Sequence, residues 1–107
     1  MKISVVTPSY NQGQFLEETI DSVLSQGVKD LEYIIMDGGS NDNSLDIIKK
    51  YDKYLHFWQS EPDGGQTQAI NQGFKHASGS IFCYLNSDDV YFPGVLKKVM
   101  HSFEGNP

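Results

Sequence analysis

Asp88 and Asp89 stand side by side just after the apolar run Ile81 to Leu85. Two adjacent carboxylates repel each other unless a cation joins them. A hard divalent ion such as Mg²⁺ or Mn²⁺ takes oxygen ligands, and one or two carboxylates plus substrate phosphates are a usual set. Asn86-Ser87-Asp88-Asp89 is equally an ordinary capped turn ahead of a helix opened by Pro93. Two more polar clusters follow apolar runs. Thr7-Pro8-Ser9-Tyr10-Asn11 places an aromatic ring that either stacks on a flat base or covers the core edge. In Asp37-Gly38-Gly39-Ser40 the carboxylate either accepts hydrogen bonds from a base or ribose or closes the turn, and the glycines let a ligand approach the backbone.

The elements that must position these clusters alternate in type. Lys2 to Thr7 reads as a buried strand stopped by Pro8. Residues 14 to 26 carry Phe15, Leu16, Ile20, Val23 and Leu24 at helical spacing, with Gly27 as the stop. Leu31 to Met36 is a second strand. A helix then starts near Asp42 or Asn43, with Leu45, Ile47 and Ile48 on its apolar face. His56 to Gln59 is a short aromatic strand, followed by Glu61-Pro62-Asp63-Gly64-Gly65. Gln66 to His76 suits a helix presenting Ala69, Ile70 and Phe74. Ile81 to Leu85 is the fourth strand, and Pro93 fits the first turn of a last helix through Phe103. Four strands, each followed by a helix, give an α/β fold with a parallel sheet covered on both faces. Ligands of such sheets sit beyond the carboxyl ends of the strands, where the three clusters converge.

Composition removes other classes. The chain has 107 residues, 38% of them hydrophobic and 12% aromatic, which is enough for one compact core and argues against disorder. No apolar run approaches the ~20 residues that cross a bilayer, and the N-terminus turns polar at Thr7, too early for a signal peptide. Cys83 is the single cysteine, so there is no disulfide framework and the expected location is cytoplasmic. Eight basic against fourteen acidic residues give a net charge of −6, which argues against nucleic acid as a partner. A phosphate ligand would need backbone amides or a metal ion between like charges. There is no G-x-G-x-x-G after the first strand and no P-loop. The three histidines lack zinc spacing with Cys83. A G-x-S-x-G elbow is absent, and Thr7-Pro8-Ser9-Tyr10 supplies neither the acidic residues after the first strand nor the rim lysine of a phosphoacceptor receiver. A sugar-nucleotide pyrophosphorylase is disfavoured, since no basic, glycine-rich loop follows that strand.

The order of the clusters resembles the N-terminal, nucleotide-binding half of family 2 glycosyltransferases, which have the Rossmann-like GT-A fold. The carrying segments are Val5 to Asn11, Ser22-Val23-Leu24-Ser25-Gln26, Asp37-Gly38-Gly39-Ser40-Asn41-Asp42 and Ser60 to Gly65. Ala69-Ile70-Asn71-Gln72-Gly73, Ala77-Ser78-Gly79 and Leu85 to Asp89 complete the series. The resemblance spans essentially the whole chain, as a single donor-binding domain over residues 1–107.

That resemblance implies a nucleotide-diphosphate sugar donor, with a UDP-sugar favoured, lying across the rim. Thr7, Pro8, Ser9, Tyr10, Asn11, Asp37, Gly38, Asp63, Gly64, Asn86, Ser87 and Asp88 become nucleotide-binding residues, with Tyr10 stacking on the base. Asp89, with Asp88, becomes the ligand of a divalent cation, Mn²⁺ or Mg²⁺. The implied chemistry is inverting displacement at the anomeric carbon, the ion stabilising the departing diphosphate. The acceptor of the full-length enzyme would be a glycan or a lipid-linked molecule, in polysaccharide synthesis, at the inner face of the membrane. Three departures accompany the match. Gly38 stands where many members carry an Asp that reads the base, Asn86 replaces a frequent Asp, and Ile70 replaces a frequent Arg.

In the family, the general base and the acceptor region follow the metal motif by many tens of residues. No catalytic residue is therefore assigned within this chain, which is expected to be a truncated piece, inactive in transfer by itself. Tyr91, Phe92 and Phe103 are the expected uncovered apolar surface, favouring a homo-oligomer. The alternative class is a non-catalytic nucleotide-binding or interaction module with the same fold.

Overall fold

The computed structural model describes residues 2–104. Four strands, β1 (Ile3–Ser9), β2 (Leu31–Asp37), β3 (Phe57–Ser60) and β4 (Ile81–Tyr84), form one parallel sheet in the order β3-β2-β1-β4. The helices are α1 (Gly13–Leu24), α2 (Ser44–Lys50), α3 (Gln66–Lys75) and α4 (Val95–Glu104), with a 3₁₀ turn at Asp52–Tyr54 before β3. This is the expected α/β alternation, and parallel pairing follows because every crossover contains a helix.

The central strand β1 is buried at all seven positions, as a strand covered on both faces must be. Its side chains divide between two layers. Ile3 and Val5 join Tyr33 and Ile35 of β2 in the main core, against Leu16, Ile20 and Val23 of α1, Ile48 of α2 and Leu96 of α4. Val6 faces the other way, with Ile34, Met36 and Ala69, under α3. The α1 residues recur at 16, 20 and 23, one stripe of a 3.6-residue helix, and each is fully buried. Burying each such side chain contributes roughly 1.5–3 kcal/mol, so a charge at Ile20 would break this layer.

Two boundaries differ from the sequence reading. Pro8 does not stop β1, which runs on to Ser9. The Val6 carbonyl accepts from Leu85 on the β4 side, while the Ser9 carbonyl accepts from Gly38 on the β2 side. Alternation then turns position 8 toward β4, whose pairing with β1 already ends at Val6 and Tyr84. The donor that proline lacks has no partner to lose there. At the other end, α4 opens at Val95 rather than Pro93, because Gly94 takes φ 82°, outside any right-handed helix.

Of the expected apolar surface, Phe92 (77%) and Phe103 (52%) are exposed. Tyr91 instead packs against the main core. The Ser22 hydroxyl holds its backbone N–H, and its own hydroxyl reaches the Tyr84 carbonyl. Phe82 and Tyr84 of the edge strand β4 are exposed in its place. Among the described residues, no helix is long and apolar enough to cross a membrane.

Candidate functional site

Parallel strands place their carboxyl ends on one side, and there the three polar clusters border a cavity of about 640 Å³. That volume suits a small-molecule or cofactor ligand. Pro8, Ser9 and Tyr10 line it from the end of β1, Gly38 from β2, Asp63 from the loop after β3, and Asn86, Ser87 and Asp88 from β4. Gln12, Pro62, Gly65, Gln66 and Ala69 complete the wall. These five escaped the sequence reading as site residues. The signal for four of them was present, since a helix predicted from Gln66 after Pro62 and Gly65 brings its first turn, with Ala69, to the same rim.

Each wall is held by a neighbouring element. The Asn86–Asp89 turn closes on itself, the Asp89 N–H donating to the Asn86 carbonyl at 3.0 Å. Thr19 of α1 anchors it, with its hydroxyl 2.6 Å from the Asp89 carbonyl and 3.0 Å from that of Ser87. Just past the end of α1, the buried Gln26 side chain donates to the Phe92 carbonyl and accepts from the Leu96 N–H. Ser22 and Gln26 therefore clasp the end of α1 to the chain after β4, which gives the buried Gln26 its partners. The Asn86 side chain in turn accepts from Gln66 at the start of α3.

The loop after β2 is organised by Asp37, which is 1% exposed. Its carboxylate accepts from the N–H groups of Gly39 and Ser40 and from the hydroxyls of Ser40 and Ser60, at 2.6–3.1 Å. These four bonds fill a carboxylate's capacity. Asp37 is thus a structural keystone here, and the turn-closing reading holds for it. Asn11, at φ 51°, latches the β1 loop to this one: its side-chain carbonyl accepts from the Asn41 N–H, and its own N–H donates to Ser40. Asp42 accepts from the Gly13 N–H and so caps the start of α1 across the loop.

Eight of the expected residues thus meet at the cavity: Pro8, Ser9, Tyr10, Gly38, Asp63, Asn86, Ser87 and Asp88. Five stand outside its wall. Thr7 is fully buried and bonded to the Tyr33 hydroxyl, and Asp37 and Asn11 hold loops. Gly64 and Asp89 are exposed but do not line the cavity.

Two features of the wall bear on binding. Tyr10 is 60% exposed, so its ring lies free beside the opening. Ser9 is only 5% exposed, yet its hydroxyl has no hydrogen-bond partner among the described residues. Ser44 shares that property, away from the cavity. An orphaned buried hydroxyl costs free energy that a ligand's polar atom can recover. For a cation, the described residues offer no group of three or more His, Cys, Asp or Glu side chains. Of the Asp88–Asp89 pair only Asp88 lines the cavity, so these residues do not make a closed all-protein site, and a hard ion held there would need further oxygen ligands from its substrate.

This α/β scaffold, with its polar clusters at the strand ends, is the fold of the GT-A glycosyltransferases. The chain belongs to glycosyl transferase family 2, whose model matches residues 4–107. An uncharacterized glycosyltransferase of Nostoc sp. is 38% identical over 97% of this chain and 33% of its own length. A putative teichuronic acid biosynthesis glycosyltransferase of Bacillus subtilis, TuaG, is 36% identical over 90% of this chain and 39% of its length. Among solved structures, Staphylococcus aureus TarS in complex with UDP superposes with a TM-score of 0.87 at 27% identity, over 98% of this chain and 32% of that one. The chain therefore spans roughly a third of these relatives.

Proposed function

We propose that this chain is the donor-binding part of an inverting, metal-dependent glycosyltransferase that takes its sugar from a UDP-sugar. The observation that carries the reading is the convergence of Tyr10, Ser9, Asp63 and Asp88 on one cavity at the carboxyl ends of parallel strands. Tyr10 offers a face for the base. Asp88, with Asp89 next to it, is the place for Mn²⁺ or Mg²⁺. When bound, such an ion supplies the positive charge that a protein of net charge −6 lacks beside a departing diphosphate.

TarS, whose complexes contain UDP or UDP-GlcNAc, supports a uridine donor. TuaG, by its description, supports a role in polysaccharide synthesis. The acceptor, a glycan or lipid-linked molecule, and the general base belong to the remaining two thirds that such relatives possess. On this reading the protein works in the cytoplasm, at the inner face of the membrane.

Isothermal titration with UDP-sugar tests it. Binding should weaken at least about tenfold without Mn²⁺ and in Asp88→Ala. Binding indifferent to both would overturn the reading. Asp89→Ala, measured alongside, tells whether the residue outside the cavity wall turns in to share the ion.

A further inference from the structure

The space beside Gly38 is filled by another residue's carboxylate. A Cβ built on Gly38 would lie 3.2 Å from both Asp63 oxygens. Asp63 therefore occupies the volume that a side chain at position 38 would take, on the same wall as Tyr10 and Ser9. The Gly65 N–H donates to Oδ1 at 2.9 Å and fixes the carboxylate's orientation. Oδ2 has no partner among the described residues. Asp37, the carboxylate beside Gly38 in sequence, stands outside the wall and is filled by four internal bonds, and Asp88 lines the wall from the β4 side.

From this, and resting on the donor-site reading above, the geometry points to Asp63 as the residue that selects the base, by accepting the imide N–H of a uracil ring. A base stacked on Tyr10 would meet Asp63 on the same wall, and Oδ2 is an acceptor there that no internal donor uses. Uracil presents one N–H at N3, between two carbonyls. Cytosine presents a bare acceptor at the same atom, which the carboxylate repels. Guanine offers two adjacent donors that suit a carboxylate with both oxygens free, and here Oδ1 is held by Gly65. Ser9, on the same wall, has a buried hydroxyl without a partner among the described residues. Gly38 favours the arrangement, since a Cβ there would press the carboxylate back by a few tenths of an ångström.

Asp63→Asn makes a sharp test. The carboxamide oxygen takes the Oδ1 place on the Gly65 N–H, and its NH₂ group then stands where Oδ2 stood. The wall changes from acceptor to donor with almost no change in shape. Asp63 is exposed, so the variant should fold, which circular dichroism and melting would verify. UDP, CDP and GDP are titrated in Mn²⁺ against the unaltered protein, Asp63→Asn and Gly38→Ala. The unaltered protein should bind UDP at least about tenfold more tightly than CDP, the size of one charged hydrogen bond. Asp63→Asn should abolish or reverse that ratio, and Gly38→Ala should reduce it by pushing the carboxylate aside. A UDP-to-CDP ratio that survives Asp63→Asn overturns the assignment while leaving the donor site standing. Absence of binding by all three nucleotides in the unaltered protein overturns both.

Discussion

The two ends of the sheet use the same kinds of residue to opposite effect. At the amino end, Glu32 of β2 is 5% exposed and accepts from the Ser4 hydroxyl, the Ser78 N–H and the Ser78 hydroxyl. The Gly79 N–H closes the knot on Ser4, and Lys2 and His56 stand 3.5 Å from the carboxylate. Burial pushes the Glu32 pKa up. The Ser78 and Ser4 hydrogen bonds and the nearby His56 charge outweigh it and hold the group at about 2, below its ordinary 4.5. At the carboxyl end, a serine, a carboxylate and a glycine recur as Ser9, Asp63 and Gly38. There the Ser9 hydroxyl has no partner, and Asp63 has one bonded oxygen. The closed carboxylate knot ties strands together, whereas at the open end the same residue types keep polar atoms without internal partners.

The largest expected effect is at the closed end. Glu32→Ala leaves the buried Ser4 hydroxyl and the Ser78 N–H without their acceptor, and should cost about 3 kcal/mol of stability by chemical denaturation. A loss under about 1 kcal/mol would show that solvent already serves this knot. Its pH dependence has a definite sign. The folded pKa is depressed, so Glu32 stabilises the protein fully above about 4.5, and the contribution disappears as pH falls toward about 2. Glu32→Gln should lack that component of acid destabilisation.

At the open end, the effects should fall on binding and spare the fold. Tyr10→Ala should weaken UDP binding by about 2 kcal/mol, in line with base–aromatic stacking, and shift stability by no more than about 0.5 kcal/mol, as for an exposed side chain. Equal losses in both would make Tyr10 a core-edge residue. The smallest effect separates the two ends most directly. Ser9→Ala removes an unpaired buried hydroxyl, so stability should hold or rise by up to about 1 kcal/mol while UDP affinity drops several-fold. A clear loss of stability would mean that Ser9 belongs to a closed network like that of Ser4.

Much of this was legible in the residues. Period and punctuation located all four strands and four helices, because apolar stripes at 16, 20 and 23 or an unbroken Val-Ile run admit few alternatives. The position of Pro8 within β1 was not legible, since it depends on where the neighbouring strand β4 stops. Tyr91 was misplaced for a similar reason, as its burial follows from a hydroxyl on α1 far away in sequence.

For the site, the sequence by itself determined which chemistry gathers at the rim, because residue types and strand ends are local properties. Only the tertiary structure decided which of those groups remain available. Asp37 and Asp63 read alike as aspartates in glycine turns, yet one is filled by four donors from its own loop and β3, and the other keeps a free oxygen beside Gly38. Whether a polar atom is free depends on donors brought from distant segments, and that is fixed only when the strands are laid side by side.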